Sequence, residues 1–375
     1  MMEDWIASWE GLGFPKLKEA SLQKIETTGK KLLVEAGVKE EEAALEVRLL
    51  LQESFSLNTA SYLLRKQESL CKAEREQTEI VTKGQTGISG GKKAEIADRE
   101  KVEAAGIEQT EILGKLHSFF ENFEKRRRRI PLAQILGRQS FYGLDFFVNE
   151  DVLIPRADTE CLVDLVLEDY ADLAKQAGKT YSEKRNSEHV SNKHEDNVEN
   201  EANSSSLNIL DLCTGSGCIG ISVAKHLPYQ ELLLVDLSEK ALAVAKKNAE
   251  KHLGENVTLL QSDLLTGVQG KKFSLLLSNP PYIVSRVIPG LEREVSEYEP
   301  KMALDGGEDG LVFYRRIAKE AKAVLLPGAR LYLEIGYDQG ESVKDIFQKE
   351  GYEAVEVFPD LAGNPRVLRG IFPGK

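Results

Sequence analysis

The sequence predicts a doubly wound α/β domain preceded by a small helical domain, and three observations carry that reading. From residue 207 onward, short apolar segments of strand length alternate with longer amphipathic ones. Two of the short segments, LLLV at 232–235 and SLLLS at 274–278, are apolar without alternation. Strands of a parallel sheet need that pattern, because helices cover both of its faces. Before residue 130 the apolar side chains recur at three-four spacing instead, which marks helices with one buried stripe. At 375 residues the chain exceeds the usual single-domain size, so two domains are expected.

In order along the chain, Ala43, Ala44, Val47, Leu50 and Leu51 form the stripe of a helix. Leu113, Leu116, Phe119, Phe120 and Phe123 predict another over 113–123. Between them, VTKGQTGISGGKK at 81–93 is rich in glycine and poor in large hydrophobes. It reads as a flexible excursion inside an insert spanning about 66–106. The rest of that insert is charged and weakly patterned, which leaves helical arms and partial disorder both open. Residues 131–158 carry turn points at Gly137 and Gly143 and strand candidates at 146–148 and 152–154. The expected division is therefore a helical domain over 1–130, a β-hairpin-like linker over 131–158 and the α/β domain over 159–375.

That domain opens with a helix from Thr159 to about Ala174. The following 182–206 stretch has almost nothing to bury and reads as a loop or disordered insert. Its deletion should leave the melting temperature nearly unchanged. Strands are expected over 207–212, 231–235, 257–260, 273–277 and 330–335. Helices are expected over 219–226, 238–252 and 311–325, and near 342–349. A terminal hairpin pairs 355–358 with 367–371.

Composition narrows the function classes. No apolar run is long enough to cross a bilayer, and the opening MMEDWIASWE is acidic where a secretory signal is basic. A cytoplasmic protein with no membrane partner is expected, as is a monomer. Cys71, Cys161, Cys213 and Cys218 form no CxxC pair and the five histidines are scattered, so neither disulfides nor a metal site are expected. A net charge of −12 opposes wholesale, stable nucleic-acid binding. The one dense basic run, KRRRR at 125–129, reads as a solvated helix end or as a docking surface for an acidic partner or RNA.

The chemistry begins at DLCTGSGCIG, residues 211–220, where a strand runs into a helix. Gly215, Gly217 and Gly220 form a GxGxxG pattern, which lets backbone turn tightly and approach a ligand. Asp236 ends the next strand, where a carboxylate suits both ribose hydroxyls of a nucleoside. The glycines alone fit a dinucleotide, a nucleoside-bearing methyl donor or a tight turn. Two later features favour the methyl donor. Asp263 ends a third strand, where it suits an adenine amino group. Asn279-Pro280-Pro281-Tyr282 follows the fourth strand, and hydride transfer has no evident need for it.

Two successive prolines fix φ and remove two N–H donors, so this stretch presents carbonyl oxygens from a stiff backbone. The Asn279 side-chain oxygen and the Pro280 carbonyl then form a fork of acceptors for an NH₂ group on a planar carbon. An amide nitrogen is a poor nucleophile because its lone pair is delocalised. Accepting both N–H bonds favours positive charge growing on nitrogen and turns its π face toward the methyl group. Tyr282 is expected to stack on the planar group or wall the pocket. In IPRADTE, residues 154–160, Pro155 reads as a kink, Arg156 as a clamp and Thr159 or Asp158 as a helix cap, and the motif, with Arg156 and Glu160, either lines the pocket or serves capping and a structural ion pair. LDGGEDG, residues 304–310, is expected to close over the pocket, and Arg366 and Arg369 to face solvent or a partner.

These residues closely resemble the release-factor glutamine methyltransferases. The resemblance is carried in order by PLAQILG with FYG, VLIPRADTE, DLCTGSGCIG, VDLSEKAL, SNPPYI, EPKMALDGGEDGLVFYRRI and DLAGNPRVLRG. It runs from Pro131 to the C terminus, and EEAALEVRLLL looks like part of the family's small helical domain. The resemblance implies a Rossmann-like class I S-adenosylmethionine-dependent domain with a helical N-terminal domain that binds release factors, and a β-rich linker. It implies methylation of the glutamine of the GGQ motif in class I peptide chain release factors. Asn279, Pro280 and Pro281 would then hold the glutamine amide and Tyr282 would flank it. Asp211, Thr214, Gly215, Gly217 and Asp236 would hold the cofactor. Cys213 stands where glycine is common, and Ala157 where proline is usual; the Cys213 side chain is expected to point away from the ligand. An adenine-N6 DNA methyltransferase would use the same fork, but should carry a basic groove or a target-recognition domain, and this chain has a net charge of −12 and no basic block beyond KRRRR.

Overall fold

The computed structural model describes residues 2–70, 93–176, 206–255, 257–268 and 270–374. The glycine-rich stretch before Lys93 and the insert up to residue 205 fall outside the described residues. The chain forms two compact units, one ending at Leu136 and one beginning at Gly137. The expected linker is thus divided between them: its first residues close the helical unit and its hairpin opens the other.

The first unit contains helices Met2–Gly11, Leu22–Glu35, Glu40–Phe55, Thr59–Arg65, Lys93–Arg127 and Leu132–Leu136. Ser21 and Asn58 begin two of them by accepting the Lys24 and Ser61 amide protons. The helix expected over 113–123 is much longer and starts at Lys93, within the stretch expected to be an insert. Val47, Leu50 and Leu51 from the first stripe and Leu116, Phe119 and Phe123 from the second share one core with Trp9 and Phe14. The Trp9 and Phe14 rings stack at 4.3 Å. The basic run is largely structural. Arg126 is buried and grips Glu46 through two bonds of 2.8 and 3.1 Å. Arg127 pairs with Glu124, and Arg129 donates to the Gly37 carbonyl.

The second unit opens with a hairpin of β1 (Arg138–Phe141) and β2 (Leu144–Phe147). Tyr142 and Gly143 both take positive φ, 50° and 72°, as a type I′ turn requires. A seven-stranded sheet follows: β3 (Leu207–Leu212), β4 (Tyr229–Asp236), β5 (Thr258–Gln261), β6 (Phe273–Ser278), β7 (Leu325–Glu334), β8 (Glu353–Pro359) and β9 (Pro365–Ile371). Their order is β5-β4-β3-β6-β7-β9-β8. The first five are parallel, and β9 runs antiparallel to both β7 and β8. Ile209, Leu232, Leu234, Leu275 and Leu277 enter one core. Leu210, Leu233, Val235 and Leu276 enter the other. Successive residues of a strand feed opposite layers, which is why LLLV and SLLLS show no polar alternation.

Three expected elements differ. Residues 152–154 are not a strand, because β2 already ends at Phe147 and the chain continues without ladder pairing. The helix expected over 311–325 is Val312–Glu320, followed by a single 3-10 turn at Ala321–Ala323. Leu325 already belongs to β7, where it pairs with Phe273. The helix expected from Thr159 is a 3-10 turn at Ala157–Thr159 and two helices, Glu160–Asp169 and Ala171–Gln176.

Candidate active site

Strands leave β3 in opposite directions, toward β4 and toward β6, so the sheet has its switch point between β3 and β6. The carboxyl ends at such a point diverge and leave a crevice. A cavity of about 330 Å³ occupies it. The loop after β3 and the Asn279–Tyr282 turn after β6 therefore border the same space.

Thr214, Gly215, Asp236, Asp263 and Asn279 all line this cavity. Asp236 ends β4 and fixes the glycine loop: its Oδ2 accepts the Gly215 N–H at 2.9 Å and its Oδ1 accepts the Ser238 N–H at 2.9 Å. Burial raises the Asp236 carboxyl above the usual range, and the backbone bonds from Ser238 and Gly215 oppose the shift. Asp263 is differently employed. Its Oδ1 accepts from Arg316 at 2.6 Å, a partner on the Val312–Glu320 helix that the sequence reading did not single out.

Asp211 corrects an expectation. It is buried and lies outside the cavity lining. Its Oδ2 accepts from the Thr214 hydroxyl at 2.7 Å and from the Gly220 N–H at 3.0 Å. It holds the loop, and burial pushes its carboxyl up to about 7. Gly217 is also off the cavity lining and serves as the left-handed cap of the Cys218–His226 helix, at φ 83°. Cys213, at φ 55°, takes the conformation that favours glycine; the residue borders the cavity while its side chain packs on the second core. A Cβ on Gly220 would sit 2.8 Å from Asp211 Oδ2 and 3.0 Å from Leu234 Cδ2. Gly220→Ala is therefore expected to cost about 1–3 kcal/mol, read as a lowered urea midpoint. An unchanged midpoint would mean that the helix shifts freely away from β3.

Asn279 and Pro281 line the cavity, whereas Pro280 is buried and Tyr282 faces away. Among the described residues the Asn279 side chain has no hydrogen-bond partner. Behind it, Ser278 Oγ donates to the Leu212 carbonyl at 2.8 Å and ties the ends of β6 and β3 together. Tyr282 does not wall the pocket as expected. Its ring packs on the second core, and its hydroxyl donates to the buried Glu334 at 3.2 Å. Gln339 Nε2 donates to the Tyr282 carbonyl at 3.0 Å and to the Gly310 carbonyl at 3.3 Å.

These contacts explain LDGGEDG. Ile283 N–H donates to the Leu304 carbonyl at 2.9 Å, and Gly306 N–H returns to the Ile283 carbonyl at 2.8 Å. A Cβ on Gly306 would lie 2.7 Å from Tyr282 Cα. The glycines thus let this segment lie directly on the backbone after Asn279, while Met302 and Asp305 border the cavity.

Arg156 combines both of its readings. It lines the cavity and pairs with the buried Glu299 at 2.6 Å, while the other Glu299 oxygen accepts the Ile154 N–H at 3.2 Å. Glu160 is not part of the cavity lining; its Oε1 accepts the Tyr142 N–H at 2.7 Å. Arg366 and Arg369 turn inward, contrary to expectation. Arg366 pairs with Asp360 at 3.0 Å and with Asp158 at 3.5 Å, and Arg369 pairs with Asp169 at 2.8 Å. The motifs around Asp158 and Asp360 therefore brace each other. Among the described residues no cluster suited to a metal ion occurs, and no helix is long and apolar enough to cross a membrane.

A family model described as "Methyltransferase small domain" matches residues 196–333. The release factor glutamine methyltransferase of Clostridium acetobutylicum is 38% identical over 262 residues, covering 69% of this chain and 81% of that one. Its counterpart from Caulobacter vibrioides is 36% identical, covering 72% and 86%. That of Moorella thermoacetica is 40% identical, covering 66% and 77%.

Proposed function

From the premise that this chain belongs to the release factor glutamine methyltransferase family, we propose its substrate to be the glutamine of the GGQ motif in class I peptide chain release factors. It is an S-adenosylmethionine-dependent protein-glutamine methyltransferase. Methylation at N5 of that glutamine would modulate translation termination in the cytoplasm, with the enzyme acting as a monomer. The observation that supports the reading best is the unpartnered Asn279 amide at the carboxyl end of β6, facing the cavity that Asp236 and the glycine loop also border.

The residues present suit the methyl donor. Asp236 offers a carboxylate at the end of β4, Gly215 leaves the loop without a side chain, and Asp263 stands at the end of β5. S-adenosylmethionine supplies an electrophilic methyl group on sulfonium sulfur. The Asn279 side-chain oxygen and the Pro280 carbonyl accept the two amide N–H bonds of the substrate and orient its π face. That acceptance strengthens as positive charge develops on nitrogen, so it lowers the barrier more than it tightens the ground state. The methylated nitrogen is strongly acidic and loses its proton without a dedicated base.

The test is incubation with purified release factor and isotopically labelled methyl donor, followed by mass-spectrometric localisation of the label. A single methyl on the GGQ glutamine, and none on a GGQ→GGA substrate, is the expected result. Label on an adenine-containing DNA duplex with none on the release factor would replace this reading with the nucleic-acid one.

A further inference from the structure

The β1–β2 hairpin leaves one edge of β2 open, and a single side chain joins that edge to the cofactor loop. In a two-residue hairpin the residues flanking the turn, Phe141 and Leu144, form a hydrogen-bonded pair, and pairs alternate from there. Arg138 and Phe147 therefore form a non-hydrogen-bonded pair, and the Phe147 N–H and C=O point away from β1. Left bare, they would be unpaired edge groups. The fully buried Asn248 takes both: its Oδ1 accepts from Phe147 N at 2.7 Å, and its Nδ2 donates to Phe147 O at 3.0 Å. One turn later on the same helix, His252 Nε2 lies 2.9 Å from the Asp145 carbonyl, the next outward-facing position of β2.

The second Nδ2 proton goes elsewhere. It is donated to the Ser216 carbonyl at 2.8 Å, inside the Thr214–Gly217 turn that borders the cavity. The loop is therefore fixed at three places: Thr214 by Asp211, Gly215 by Asp236 and Ser216 by Asn248. The first two come from the adjacent strands. The third comes from the Glu239–Leu253 helix, with its orientation set by the hairpin edge.

We propose that Asn248 is a positioning residue for S-adenosylmethionine binding: its amide, locked by the Phe147 peptide group, holds the Ser216 carbonyl so that the glycine loop keeps its ligand-binding shape. The proposal rests on the reading that this loop and Asp236 hold the methyl donor. All three hydrogen-bonding capacities used here are satisfied, and a buried amide with both donors and its acceptor committed has one orientation only.

The test measures the Kd of S-adenosylmethionine for the full chain by calorimetry, alongside the melting temperature, for Asn248→Ala, Asn248→Asp and His252→Ala. Asn248→Ala is expected to weaken binding about tenfold, since a lost buried hydrogen bond and a freed loop act together. His252→Ala loosens the same hairpin edge without touching the loop, and its Kd should stay within about twofold of wild type. Equal weakening by both variants would make the effect general destabilisation and overturn the proposal.

Asn248→Asp decides the matter if the alanine variant does not fold. As a carboxylate it sets a negative oxygen against the Phe147 and Ser216 carbonyls; once protonated it regains one donor. Its Kd relative to wild type should fall about threefold or more between pH 8 and pH 6. Taking the ratio at each pH removes the part that Lys247, Lys251, His252, Asp145, Asp211 and Asp236, the titratable or charged groups around the site, contribute equally in both proteins. A flat ratio would reject a role for the donated bond. Should Asp236→Ala also leave the Kd unchanged, the loop itself would be misassigned; weakening in Asp236→Ala alone would remove only Asn248.

Discussion

Asn279→Ala is expected to lower kcat by about 10²-fold or more while leaving folding and cofactor affinity near wild type. The separation follows from the surroundings. No described group depends on the Asn279 amide, so its loss strands no protein donor or acceptor. The backbone beneath it is held independently, by the Ser278–Leu212 bond and by the Gln339 bond to the Tyr282 carbonyl. Removing the side chain would therefore remove the proposed acceptor for the reacting nitrogen and little else. Labelled methyl transfer gives kcat, calorimetry gives the cofactor Kd, and thermal melting reports the fold. Turnover within about threefold of wild type would reject the acceptor fork. A matching loss of cofactor affinity would assign Asn279 to donor binding instead.

The sequence shows where that proposed acceptor sits more clearly than what holds it there. Apolar runs of strand length, a glycine loop after β3 and a proline pair after β6 are local signals, each readable within a few residues. The supports are long-range. Gln339 looks like an ordinary polar residue at a helix start, yet it bonds both Tyr282 and Gly310. Glu334 ends a strand, and only the fold shows that it accepts the Tyr282 hydroxyl from a buried site. Asn248 lies on an amphipathic helix among lysines, with nothing in its neighbourhood to mark three buried bonds. The misplaced residues share one cause. Asp211, Glu160 and Arg366 belong to motifs that surround the site, and proximity in a motif does not say which way a side chain turns. All three turn to backbone or to ion partners. The basic run misleads for a related reason. Its charge density suggests a surface, but Arg126 is committed to Glu46.

Asp236→Ala is expected to raise the Kd of S-adenosylmethionine by about 10²-fold or more, with a smaller effect on kcat at saturating donor. Two losses combine. The carboxylate that would accept the ribose hydroxyls disappears, and charge-assisted bonds of that kind are about twice as strong as neutral ones. The Gly215 N–H also loses its acceptor, so the loop that shapes the site is released at its centre. The charge itself is testable through pH. Burial raises the folded-state pKa of Asp236, and hydroxyl donation by the ribose would favour the ionised form. Donor binding is then linked to proton release: affinity is fully present above the raised pKa and falls as the pH drops through it. The decline should begin at a higher pH than an ordinary aspartate would give, and Asp236→Asn should abolish that part of the profile. Asp211, whose carboxyl is pushed up to about 7 with the Asp236 charge among the causes, titrates at a different pH once Asp236 is replaced, so the two profiles are compared in an Asp211→Asn background. An identical pH profile for the two would place the ribose away from this carboxylate.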